Sequence, residues 1–193
     1  TWKFLWAPLM DRIRPPLGRR RGWMLATQIS LVLSIGALGY LDPLKQTALV
    51  AVLASVIAFL SASQDVAIDA YRREILLDAE LGLGNAIHVQ AYRIASLVPG
   101  SLSLILADML PWTVVFWVTA AFMAVGIALS VSIREPQDLS PPAQGFREML
   151  LTPFMEYFHR VGWRAGALAL LFMVAYKLGD NMATALATPF YLD

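Results

Sequence analysis

The sequence contains no cysteine. Disulfides and thiolate-held metal centres are therefore excluded. Histidine is nearly as scarce: His88 and His159 stand alone and form no ligand cluster. Charge is sparse too, at 15% of 193 residues, against about 25% in soluble domains. The net charge of +1 gives no electrostatic footprint for nucleic acid. What remains is apolar. Apolar residues make up 58% of the chain and the mean hydropathy is +0.60, whereas soluble domains average about 45–50% apolar.

The apolar residues fall in long blocks rather than in a scattered core pattern, which marks an all-α polytopic membrane protein. Residues 1–10 look like the end of one span. Gly22–Leu41, Thr47–Leu77, Asn85–Ala107, Trp112–Ile133 and Arg164–Tyr191 follow as further spans, each near or above the roughly 20 residues that cross a bilayer. The chain opens at Thr1 inside one apolar pattern and stops at Asp193 just after another, so it reads as a fragment of a longer protein. The connections alternate in charge. "DRIRPPLGRRRG" (11–22) carries five arginines, the segment 72–84 carries two and the segment 134–164 carries four, while those between them carry one lysine or no base. The positive-inside rule makes the first, third and fifth connections cytoplasmic. Trp23, Trp112 and Trp163 sit at span ends, where aromatic belts are expected. The connection 134–163 is the one long linker, and Phe146–Phe158 within it is amphipathic, interrupted by Pro153, and expected at the membrane surface.

Charges inside spans are costly, about 2.5–3.5 kcal/mol each on insertion scales, and mark a protein interior or a wet cavity. Gly22–Leu41 and Trp112–Ile133 have none and are expected to face lipid; the other three long spans hold them all. Asp65, Asp69 and Arg72 are spaced i, i+4, i+7 on one helical face, flanked by Ser61 and Gln64. From the helical rise, Asp69 and Arg93 both lie about 12 Å into the bilayer on consecutive antiparallel helices, and are expected to pair. Lys177 and Asp180 lie near or just beyond the midplane of the last span, and are candidates for the same cavity or for an internal ion pair. A carboxylate between arginines favours its charged form, and the same carboxylate in an apolar cavity favours its neutral form. Moving Arg93 from Asp69 would thus move a proton. That coupling suits transport better than enzyme chemistry. "YKLGD" (176–180) lacks the first glycine of an intramembrane protease G-x-G-D motif, and "DVAIDAYR" (65–72) lacks the form of an alcohol phosphatidyltransferase site.

These residues carry a resemblance. "APLMDRIRPPLGRRRGW" (7–23) resembles the loop between helices two and three of the major facilitator superfamily, of form G-x-L-x-D-R-x-G-R-R. Asp11 and Arg12 match; Gly18–Arg20 arrive late, after Pro15-Pro16; Ala7 replaces the usual glycine. The spaced loop, with "IAFLSASQDVAIDAYRREIL", "ELGLGNAIHVQAYRIASLVPGSLSLILAD" and "YKLGD", is similar to the AmpG-type muropeptide permeases of Gram-negative bacteria over nearly the whole chain. The resemblance implies part of a facilitator helical bundle: residues 1–133 as the end of helix two and helices three to six, 134–163 as the inter-half linker, 164–193 as helix seven. It implies an inner-membrane, proton-coupled importer of N-acetylglucosamine–anhydro-N-acetylmuramyl peptides. Such importers feed peptidoglycan recycling and, in some bacteria, control β-lactamase induction. Its partners would be the sugar-peptide, protons and the bilayer, with no cofactor, metal or nucleic acid. Arg93 and Lys177 would anchor carboxylates; Asp65, Asp69, Asp180 and Gln64 would meet protons or sugar hydroxyls; Asp11, Arg12, Arg72 and Arg73 would form the cytoplasmic gate, with Asp11 bridging to Arg72 or Arg73. The alternatives are a related facilitator for another anionic solute, such as acetyl-CoA, an intramembrane enzyme, or a non-transporting sensor on the same fold.

Overall fold

Long runs free of charge and of interior proline leave the backbone one economical solution in an apolar medium, the helix, which satisfies its own hydrogen bonds. The computed structural model describes residues 6–136 and 146–192, with the side chains of residues 9, 146–151, 153, 154, 180 and 183–192 outside that description. Among the described residues the regular structure is entirely helical: α1 (Ala7–Arg12), α2 (Arg19–Leu38), α3 (Thr47–Ile75), α4 (Leu81–Ala95), a π turn (Val98–Leu102), α5 (Ser103–Ala107), α6 (Trp112–Ala121), α7 (Met123–Ser132), α8 (Phe146–Val161) and α9 (Trp163–Leu192). Four stretches are long and apolar enough to cross a membrane: α2, α3, α4 through α5, and α6 through α7. The end of α8 and most of α9 form a fifth if that bent pair is taken as one span.

The chain divides into two units, Thr1–Pro142 and Ala143–Asp193. In the first, α2 packs along α3 and against α6 and α7. This overturns the expectation that α2 faces lipid. It is the span with the most buried surface, and Met24, Thr27, Gln28, Leu31 and Gly36 lie inside. Absence of charge shows that a helix needs no water, and neighbouring apolar helices meet that condition as well as lipid does. Small residues make the close approach possible. A Cβ at Gly36 would fall 2.6 Å from the Trp117 ring, and one at Gly39 would fall 3.0 Å from the Thr113 backbone. Polar stitches fix the register: Thr113 Oγ1 donates to the Gly39 carbonyl (2.6 Å) and Trp117 Nε1 to Tyr40 Oη (3.1 Å). At the other end of α2, Met10, Met24 and Ala67 form a small core covered by Trp6, Trp23, Val66, Ile68, Tyr71 and Ile133.

The third span is interrupted by a π turn. Pro99 and Gly100 sit in the π turn, where Ser103 Oγ donates to the Val98 carbonyl (2.9 Å) and meets Thr119 Oγ1 at 2.8 Å. The hydroxyl is a second donor to a carbonyl that already accepts the Ser103 backbone N–H across the widened turn. Below it, α4 contains no buried residue. Gly82 and Gly84 lie inside the first turn of α4. In the second unit α8 continues through Pro153 rather than stopping there.

A charged clasp and an acidic helix face

The basic loop builds the most heavily bonded polar site among the described residues. Pro15 and Pro16 lie between α1 and α2, and Gly18 reverses the chain with φ 108° and ψ 161°, a conformation open to glycine. α2 then begins at Arg19, so three arginines occupy its first turn. Positive charge there opposes the helix dipole, and the structure supplies acids to offset it. Arg20, only 8% exposed, reaches Asp11 Oδ1 with Nη1 (2.5 Å) and Glu74 Oε1 with Nη2 (2.6 Å) and Nε (3.0 Å). Arg19 Nη2 joins the same Glu74 oxygen at 2.9 Å.

Glu135, just beyond α7, caps α2 from 115 positions away in the sequence. Its Oε1 accepts the Arg20 backbone N–H (2.7 Å) and its Oε2 accepts that of Arg21 (2.9 Å). Arg21 returns the arrangement: Nε donates to the Ser130 carbonyl (3.1 Å) and Nη2 to that of Val131 (2.7 Å). The start of α2 and the end of α7 therefore cap each other. The space this needs exists because residue 18 has no side chain; a Cβ there would lie 2.5 Å from Glu135 Cδ. Trp23 Nε1 donates to the carbonyls of Met10 (2.8 Å) and Ile13 (3.1 Å), and Tyr71 Oη to that of Arg134 (3.2 Å).

The expected bridge from Asp11 to Arg72 or Arg73 is not formed. Asp11 takes Arg20, in the first turn of α2 and buried there. Arg72 and Arg73 find acids on or beside their own helix: Arg72 Nη2–Asp69 Oδ1 at 3.0 Å and Arg73 Nη1–Asp78 Oδ1 at 2.6 Å. Arg12 is exposed at the end of α1. The roles of Arg20, Arg21, Glu74 and Glu135 were missed in the sequence. The available signal was that three successive arginines at a helix start require compensating acids; counting them only as positive-inside charge obscured it.

On α3, Ser63 and Ala67 are buried and face the packed core. Asp65 and Asp69 lie about 200° around the helix from them, and both are exposed. The acidic face therefore points away from α2, with Gln64 half-buried at its edge. Arg72 completes it, and its Nη1 is buried with no hydrogen-bond partner. Arg93 is exposed on α4. Among the described residues no ion pair joins Asp69 to Arg93, because α4 packs chiefly on the π turn and Arg72 stands one turn from Asp69 on the same helix. In the second unit Lys177 is exposed on α9; Asp180 follows on that helix, but its side chain lies outside the described residues.

Chemically, the two sites differ. The clasp is a set of reversible, charge-assisted bonds joining helix ends. The face of α3 offers carboxylates and a guanidinium over two turns, able to exchange protons and to bind oxyanions or hydroxyls.

Comparison with known proteins places this arrangement. An uncharacterized protein of Haemophilus influenzae is 50% identical over 194 residues, 99% of this chain and 46% of that protein. The protein of Escherichia coli K12 named anhydromuropeptide permease is 45% identical over 195 residues, all of this chain and 39% of that protein. A Rickettsia felis protein named putative transporter AmpG 4 is 27% identical over 202 residues, 99% of this chain and 48% of its own. The chain thus spans less than half the length of these relatives. The model of the Major Facilitator Superfamily matches residues 2–193, and with the membrane-length helices this establishes that the chain is part of a multi-pass membrane protein and belongs to that superfamily.

Proposed function

We propose that this chain is part of an importer of anhydromuropeptides across the bacterial inner membrane, working by proton-coupled alternating access. The observation that carries the reading is identity of 45% along the whole chain to a protein named anhydromuropeptide permease. The arrangement of charge supports it. Asp65, Asp69 and Arg72 line a face of α3 turned away from its packing partner α2. A membrane helix keeps carboxylates on such a face when it borders a wet path.

In this reading Asp69 exchanges its proton when Arg72 is drawn to a carboxylate of the solute. Arg93 and Lys177 contribute further positive charge for the peptide carboxylates, and Asp65, Gln64 and Asp180 meet sugar hydroxyls or protons. The clasp of Asp11, Arg20 and Glu74 closes the cytoplasmic side, with Arg12, Arg72 and Arg73 at its margin. The test is uptake of labelled N-acetylglucosamine–anhydro-N-acetylmuramyl tripeptide by the complete protein in vesicles, with and without an inward proton gradient. Gradient-dependent accumulation is expected. Accumulation of labelled acetyl-CoA in its place would replace the substrate, and solute uptake indifferent to the gradient would end the coupling.

A further inference from the structure

We infer that the loop Arg12–Gly18 is a phospholipid-binding surface, which seats Ile13, Pro16 and Leu17 in the cytoplasmic leaflet and holds an anionic headgroup at Arg12. The inserted prolines are the starting point. The clasp is made by Asp11, Arg20, Glu74 and Glu135, and its bonds leave Pro15-Pro16 without a purpose. Their position supplies one. A Cβ at Gly22 would fall 2.5 Å from Pro15 Cβ and 3.0 Å from its Cγ, so the Pro15 ring covers Gly22 directly. Gly22 shares a helical face with Ala26, Ile29, Leu33 and Ala37, and those four are exposed. The other sides of α2 are packed by α3, α6 and α7, which leaves this apolar stripe to lipid. The loop therefore continues the lipid-facing stripe of α2 at its cytoplasmic end, beside the interfacial Trp23.

The loop is held before any lipid arrives. The Gly18 N–H closes a turn on the Pro15 carbonyl at 3.1 Å. Trp23 Nε1 ties down the Met10 and Ile13 carbonyls, and two prolines fix their own φ. Such a loop has little freedom left to lose on binding. What it presents is apolar: Ile13 is 46% exposed and Leu17 57%, and Pro16 is exposed between them. Apolar side chains held among arginines at the edge of a span fit the boundary between headgroups and acyl chains.

Charge selects the lipid. The clasp sets Asp11, Glu74 and Glu135 against the five arginines of residues 11–22, so positive charge is in surplus. Arg14 borders the clasp beside Glu74 and Glu135, while Arg12 is exposed at its margin. A positive surplus at headgroup depth attracts anionic lipid. Phosphatidylglycerol is therefore favoured over a zwitterionic lipid with the same chains.

The absence of cysteine in these residues makes the test direct. In a cysteine-free background of the complete protein, Leu17→Cys is labelled with bimane. Ala79→Cys, exposed between Asp78 and Glu80 in the turn from α3 to α4, is the solvated control. The proteins are reconstituted in phosphatidylethanolamine vesicles holding equal fractions of either chain-brominated phosphatidylglycerol or chain-brominated phosphatidylcholine. Quenching by the bromines and by aqueous acrylamide is measured. The label at 17 is expected to be quenched by bromolipid and to be shielded from acrylamide several-fold relative to the label at 79. Brominated phosphatidylglycerol should quench it more than brominated phosphatidylcholine, and Arg12→Gln should reduce that preference while the bromolipid contact persists. Acrylamide access at 17 equal to that at 79 would make the loop solvated. Shielding from both quenchers would place it against protein. Equal quenching by the two lipids would remove headgroup selection, and a preference unchanged by Arg12→Gln would remove Arg12 from it. Each of these outcomes overturns the inference, and none depends on which solute is carried.

Discussion

Replacing Gly18 by alanine probes the clasp at its narrowest point. Two effects add. The backbone at φ 108° and ψ 161° is one that only glycine adopts readily, and forcing another residue into such a region costs about 1–3 kcal/mol. The new Cβ would also sit 2.5 Å from Glu135 Cδ and 2.6 Å from its Oε2, so the carboxylate must leave the α2 N-terminus. Loss of a helix cap costs about 0.5–2 kcal/mol. Together these make about 1.5–5 kcal/mol. The assay is a double-mutant cycle on the complete protein, read as resistance to unfolding in mixed micelles. Glu135→Ala alone removes the cap. In the Gly18→Ala background the cap is already displaced, so Glu135→Ala should cost little more, and the coupling should be about 1 kcal/mol. If the two changes add to within about 0.3–0.5 kcal/mol, the carboxylate does not depend on the empty space at residue 18, and the argument for mutual capping fails.

Arg20→Met should destabilise by about 1–3 kcal/mol, since the partly exposed Asp11 and Glu74 lose their shared cation. Arg20→Lys should recover only part of that, because one ammonium cannot reproduce a fork that reaches both carboxylates; equal stability of Lys and Arg variants would refute the bridging geometry. Gly36→Leu should lower stability by about 1–3 kcal/mol through overlap with Trp117, and a Trp117→Ala partner change should relieve part of it. Asp69→Asn in the complete protein should leave solute exchange running while abolishing accumulation driven by a proton gradient; retained gradient dependence would remove Asp69 from the proton path.

Much of the architecture was legible in the chain because membrane spans announce themselves by length and polarity. The span from Thr47 was placed to within two residues at its far end, Leu77 against Ile75. Which helix touches which was not legible. Gly22–Leu41 looked like a lipid-facing span, yet Gly36, Gly39 and Gly126 let it nest among its neighbours. Hydropathy does not separate lipid from protein when both are apolar. Ion pairing failed for a related reason. Depth along the membrane normal put Asp69 level with Arg93, but depth says nothing of lateral distance, and Arg72 is supplied by the same helix one turn away. The acidic face itself was readable from spacing alone, since position around a helix follows directly from its period. The capping by Glu135 was beyond reach, because it joins residues over a hundred positions apart through packing that only the fold creates.

The mutual capping of α2 and α7 has a mechanical consequence. The helix α2 and the antiparallel span made of α6 and α7, fastened at one end by Glu135 and Arg21 and at the other by Thr113 and Trp117, behave as a stiff plate. Strain applied to the first unit will then collect where the backbone is most compliant. That place is the widened turn at Pro99–Gly100, so flexing of this unit should swing α4 and leave the plate undistorted.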